Sequence, residues 1–318
     1  MNEVYLLSCE TEKEGGGIYK YHLSSEGKLI FEKKFPCDRP MYAVLHEKAL
    51  HILLRQVFEQ NGGYIKLQEN FSHCSDVLDS KGSVPCHLTV DGPNVYLVNY
   101  LSGNIVKNCH EITERTGYGT DPLRQDMPHT HCVAVLSDQY IGVCDLGTDT
   151  LAIYDKNLGL VTEAKVPEGY GIRHFAYDRK KALIYAVNEL VPSVSIFSFR
   201  NEKLNLLHTT ILNCNNPQAS GAAIKLASNG KLYISVRGEN VIFILDIHGE
   251  QPVVIQKADC GGNGPRDFEL CGDYLICTNE KSNSVTVYEV LDGKLTRKSD
   301  EVSLHSPLCV LYHDRPVH

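Results

Sequence analysis

Residues 140–155 read YIGVCDLGTDTLAIYD. Two short apolar runs are bounded by Gly, Asp and Thr, the pattern of a hairpin of two half-buried strands. The unit recurs along the chain as HILLRQVFEQNGGYIKL, VYLVNYLSGNIVKN, LIYAVNELVPSVSIFSF, LYISVRGENVIFIL and YLICTNEKSNSVTVYEV. In register, these copies align Arg55, Asn99, Asp145, Asn188, Val236 and Asn279, at separations of 44, 46, 43, 48 and 43 residues. A period of that length suits one four-stranded propeller blade.

Ahead of each copy lies a further apolar run with a polar lead-in: PMYAVL from Pro40, PCHLTV from Pro85, PHTHCVAV from Pro128, IRHFAY from Ile172, GAAIKL from Gly221 and PRDFEL from Pro265. A seventh, PLCVLYHD from Pro307, has no partner strands after it. The N-terminal runs VYLLSC, GGIYKYHL and KLIFEKKF supply them, and the distance from Asn279 through His318 to Ser8 is 47 residues, one more period. The expected fold is therefore all-β, a seven-bladed β-propeller forming one domain over residues 1–318. Its terminal strands share one blade, so that no sheet edge is left open. A pair of β-sandwiches would show irregular spacing instead.

Composition narrows the function. The formal net charge of −8 argues against nucleic-acid binding through general electrostatics, although an arginine pocket can still hold an anion. No run reaches the roughly 18 apolar residues of a membrane span, and the N-terminus lacks the basic-then-apolar pattern of an export signal. Twelve cysteines without a C-x-x-C pair read as reduced core residues of a cytoplasmic protein. Tryptophan is absent, which removes the WD-type propellers.

In a blade, the start of the first strand and the end of the second lie at the same face. That mouth collects His87, His129, His131, Arg173, His174 and Arg266 from the lead-ins, and Asn99, Tyr100, Asp145, Asp149, Asn188, Glu189, Arg237, Asn279 and Glu280 from the strand ends. Asn and Asp at strand ends commonly hold their own turns. Arg173, Arg237 and Glu189 stand where other blades carry Tyr, Leu or Pro, which marks them for function. His129, Arg266, Asp145, Asn188 and His87 are candidates for holding a ligand. His129 and His131, spaced i, i+2, would share one face of a strand. A metal there lacks a third fixed ligand and would meet several arginines, so no metal or other cofactor is expected and acid–base work is the better reading.

The segments DPLRQDMPHTH, GYGIRHFAYDRKKALIYAVNELVPSVSIF, KLYISVRGENVIFILDI and GPRDFELCGDYLICTNEKSNSVTVYEV resemble the lactonase family of seven-bladed propellers, which includes 6-phosphogluconolactonases and carboxy-cis,cis-muconate cyclizing enzymes. The resemblance runs from about Pro85 to Val290 and is fainter in the N-terminal third. It implies active-site roles for His131, Arg173, Glu189 and Arg237. Three motifs depart from the family pattern: GPRH reads GIRH, NRG reads VRG at Val236, and Ala223 stands where a Glu is customary. The implied activity is hydrolysis of a sugar lactone, foremost 6-phosphoglucono-δ-lactone in the pentose phosphate pathway, by a monomer or weak homodimer. Either His131 or Glu189 could supply the base, with His131 favoured as proton shuttle and Glu189 as water-orienting carboxylate, while Arg173, Arg237 and Arg266 hold oxyanion and phosphate. Muconate cyclisation and a non-catalytic binding module are the competing readings.

Overall fold

The computed structural model describes residues 2–249 and 251–314; positions 1, 250 and 315–318 of the expected unit lie outside the described residues. Seven four-stranded antiparallel sheets follow one another along the chain. In blade 3 the strands are Thr130–Val135, Tyr140–Asp145, Thr150–Asp155 and Leu160–Lys165, from the axis outward. Blades 1 and 2 begin at Pro40–His46 and Pro85–Asp91, and blades 4, 5 and 6 at Ile172–Asp178, Ser220–Leu226 and Pro265–Cys271. Blade 7 takes its innermost strand, Pro307–Asp314, from the end of the chain and its other three from the start. Leu6 pairs with Val310 and Val4 with Tyr312, which closes the ring as the repeat spacing requires.

Local chemistry sets the hairpins. The residue before the third strand is left-handed in four blades, as Gly103 (φ 62°), Asp149 (57°), Asn240 (59°) and Asn283 (53°), the residue types that tolerate that conformation most readily. Between blades, apolar side chains from facing sheets interlock. Ile153 and Cys144 of blade 3 meet Phe175 and Phe197 of blade 4, and comparable clusters fill the other junctions. Wedges such as Phe197, Phe243 and Phe268 are fully buried, each worth roughly 1.5–3 kcal/mol of transfer free energy.

One irregularity is shared by all seven blades. The ladder between the first and second strands slips near the start of the first strand: between Pro40 and Tyr42, Pro85 and His87, Thr130 and Cys132, Ile172 and His174, Gly221 and Ile224, and Pro265 and Asp267, and opposite Pro307 in blade 7. A bulge leaves an extra residue unpaired and re-aims its side chain. The extra residues include Met41, Cys86, His131, Arg173 and Arg266, and the bulges deliver them to the axial mouth.

Candidate active site

Glu189 follows the second strand of blade 4, Leu183–Asn188, and its amide donates to the carbonyl of Gly171 at 2.7 Å. Gly171 is left-handed (φ 64°), and a Cβ there would come within 2.6 Å of Leu190, so glycine is needed for this crossing. The Glu189 carboxylate is almost wholly enclosed. Its Oε1 accepts from Arg124 Nη2 at 2.5 Å, and its Oε2 meets Arg173 Nε at 2.8 Å and Arg237 Nη2 at 3.0 Å. Burial alone would raise the pKa of this carboxyl, but Arg237 and Arg173 foremost hold it well below the usual range. Both oxygens are taken up by arginines. Glu189 is thus placed to hold three guanidiniums rather than to act on water.

Arg173 is the most deeply placed of the arginines, with 2% of its side chain exposed, and its Nη1 also donates to Ala222 O at 2.6 Å. Burial, then Arg266, brings its pKa down to about 9, which leaves it charged at neutral pH. Arg237 donates to Gly221 O at 3.3 Å, and Arg266 lies 3.9 Å from Glu280. Four guanidiniums thus face two carboxylates, a local surplus of two positive charges in a protein of net charge −8. Such a mouth attracts anions. Three of the four guanidiniums, Arg124, Arg237 and Arg266, line a cavity of about 310 Å³ together with Tyr100, His131, Glu189 and the apolar Met41, Val84 and Cys86, while Arg173 reaches it through Glu189.

His131 reaches this cavity from its bulge and is 5% exposed. Burial, followed by Arg173, presses its pKa well below 6.5, so the ring is neutral at physiological pH. Tyr100 meets it edge-on, with ring centres 5.4 Å apart.

The structure separates the other candidates. His129 lies flat on Tyr100 at 4.5 Å, with Nδ1 against Tyr100 O at 2.9 Å and Nε2 against Asp126 at 3.1 Å. With both ring nitrogens engaged, it supports Tyr100 and does not line the cavity. Asp145, expected among the ligand-holding residues, instead accepts from the amides of His129 and Gly147 and from Arg115 Nε. Asn188 donates to Ser193 and Ser195 inside its own blade. His87, also expected at the mouth, lies deeper along the axis, because the bulge at Cys86 carries the next residue inward; its Nε2 faces Cys132 Sγ at 3.8 Å. His174 is displaced in the same way.

Arg124 was not among the expected site residues, although it stands seven positions before His131. Its loop has no strand period to give it a phase. Gln125 anchors the loop instead, accepting from the amides of Thr120 and Asp121 and donating to Leu146 O.

Residues 4–312 match the family described as Lactonase, 7-bladed beta-propeller. The chain belongs to this lactonase family. The match takes in blades 1 and 7, where the motifs were faint. A Staphylococcus aureus relative, the uncharacterised protein SAB1858c of strain bovine RF122 / ET3-1, is 26% identical over 96% of this chain and 98% of its own. Among solved structures, a Bacteroides fragilis protein described as a candidate 6-phosphogluconolactonase superposes with a TM-score of 0.88 at 23% identity, covering 98% of both chains. The periplasmic gluconolactonase of Pseudomonas aeruginosa gives 0.87 at 17% identity, over 99% of this chain and 100% of its own. At such identities the structural likeness speaks for the fold. No helix among the described residues of this lactonase-family propeller is long and apolar enough to cross a membrane.

Proposed function

We propose that this protein hydrolyses a sugar lactone carrying an anionic group, foremost 6-phosphoglucono-δ-lactone, to the open-chain hydroxy acid in the cytoplasm. The observation that carries this reading is the convergence of Arg124, Arg237 and Arg266 on one cavity beside the neutral imidazole of His131, with Arg173 bound to the Glu189 that lines it. The cavity volume of about 310 Å³ lies at the lower end of the range for small-molecule sites, as a sugar-sized ligand requires. The names of the Bacteroides and Pseudomonas neighbours add support for a gluconolactone-type substrate.

In the proposed mechanism His131 takes a proton from water as the water oxygen attacks the lactone carbonyl. A neutral imidazole is the form a base needs, and burial keeps it in that form. Negative charge developing on the carbonyl oxygen is met by Arg237 with Arg173 behind it, whose positions are set in advance by Glu189. Arg266, bound only loosely to Glu280 at 3.9 Å, is the guanidinium with donors to spare for a phosphate. Glu189 has the structural task of keeping like charges together.

A panel of phosphorylated and unphosphorylated aldonolactones, corrected for spontaneous opening, tests the reading. We expect kcat/KM to favour the phosphorylated δ-lactone by about 100-fold, the worth of two charge-assisted hydrogen bonds. Turnover at the spontaneous rate for every lactone would refute it.

A further inference from the structure

Beyond the mouth, the axis holds a second cavity of about 350 Å³, bounded by Tyr42, His87, Cys132, His174, Lys225 and Asp267. Ala134 and Leu226, late in their strands, also line it, so it lies toward the opposite face. A row of rings joins the two cavities. His131 and His174 meet edge to face with centres 5.1 Å apart, His174 and His87 at 5.0 Å, and His87 stacks on Tyr42 at 4.1 Å. Two ring nitrogens in this row, His131 Nδ1 and His174 Nε2, are buried without a hydrogen-bond partner. Such atoms are rare in native interiors and ask for an explanation, and here they belong to adjoining rings.

Charge along the axis runs the same way. The mouth carries a surplus of positive charge, whereas beneath it Lys225 bonds Glu269 at 2.8 Å and Asp267 stands as an additional carboxyl. Burial, opposed by Lys225 and aided by Glu269, raises the pKa of Asp267. Its Oδ2 accepts from the Val310 amide at 3.2 Å. Of the charged groups around the imidazoles, Arg173 and Arg266 on the mouth side and Lys225 in the lower cavity repel a proton. Glu269 neutralises Lys225 and Asp267 adds a carboxyl there, so the lower end carries less positive charge than the mouth.

We infer that His174 and His87, bridged by water at the unpartnered nitrogens of His131 and His174, form a relay that carries the proton liberated by lactone opening from His131 into the lower cavity. The inference rests on the reading of His131 as the base. The balance requires such an exit: lactone plus water gives hydroxycarboxylate plus one proton. Water yields a proton to His131 as its oxygen bonds the carbonyl carbon, and the ring C–O bond then breaks with that proton passing to the leaving oxygen. The new carboxyl group ionises among the arginines through His131, and this last proton has to leave a cationic mouth. Passage through His174 and His87 toward Asp267 moves it down the electrostatic gradient.

The test uses the full chain with His174→Phe and His87→Phe, which keep a ring and remove its nitrogens, and His174→Gln as a second variant should the first fail to fold. The readouts are kcat and KM across pH 5.5–8.5, dependence on imidazole buffer concentration, and the effect of D2O. We expect kcat to fall on the order of tenfold or more with KM within about twofold, and to be restored as imidazole is added. A merely structural role would not produce buffer rescue. Folded variants with wild-type kcat and no buffer dependence would overturn the relay while leaving His131 as base. His131→Ala at full turnover would overturn both.

Discussion

Replacing Glu189 with glutamine removes one charge and almost no volume, and the consequences can be worked from the geometry. The carboxylate accepts three charge-assisted bonds, at 2.5, 2.8 and 3.0 Å, from arginines on three different segments. With Gln in its place one acceptor oxygen remains but the negative charge is gone, and Arg173, 2% exposed, would stand as a buried cation without a counter-charge beside Arg237. Leaving one partner of a buried pair alone costs about 3–5 kcal/mol. At about 2 °C per kcal/mol for a chain of this length, Tm should fall by about 6–10 °C. The arginines would also lose their aim, and one misplaced oxyanion donor lowers kcat by about 100- to 1,000-fold. The sign of the pH dependence is fixed by the depressed carboxyl. Its contribution is complete above the unfolded pKa near 4.5 and is lost as pH falls through the lower folded value. Protonated Glu189 resembles Gln, so the Tm gap between wild type and variant should close in that acidic window. Thermal melts at stepped pH and background-corrected lactone hydrolysis supply the measurements. A variant melting within 1 °C of wild type at pH 7, with turnover within about twofold, would refute the role assigned to Glu189.

His131→Ala should lower kcat by about 100- to 10,000-fold with little change in Tm. Because burial holds this imidazole well below 6.5, wild-type kcat/KM should stay level from pH 7.5 to below 6.5 and fall only at more acidic pH; a midpoint near 6.5 would contradict the burial. Arg266→Ala should lower kcat/KM for a phosphorylated lactone by about 100-fold, mostly through KM, and leave the unphosphorylated sugar unchanged, and an equal loss on both would move the phosphate elsewhere. Asp145→Asn should lower Tm by several degrees, because Arg115 loses its buried partner at 2.7 Å, while kcat and KM persist; a selective loss of kcat would restore Asp145 to the site.

The legible part of the site consists of residues with a phase. Arg173 and Arg266 follow the lead-ins, and Glu189 and Arg237 end the second strands, so a repeat of fixed period assigns all four to one mouth. His131 is legible for the same reason. Asp145 and Asn188 share that phase, but a backbone at the end of a strand offers amides and hydroxyls close by, and both side chains turn to those. His87 was misplaced by a single position, because the alternation of a strand says nothing of a bulge that inserts one unpaired residue. Arg124 sits in a loop fixed by Gln125, where no period exists to be read.

The amino-acid sequence by itself determined the ring. Strand alternation and turn residues act locally, every blade repeats them, and the spacing of the last period obliges the two ends to pair as Leu6 and Val310 do. Only the tertiary structure decided which charges touch. The partners of Glu189 come from three segments up to 65 residues away, and whether a carboxylate faces one guanidinium or three depends on side-chain packing across blades, which no local pattern encodes.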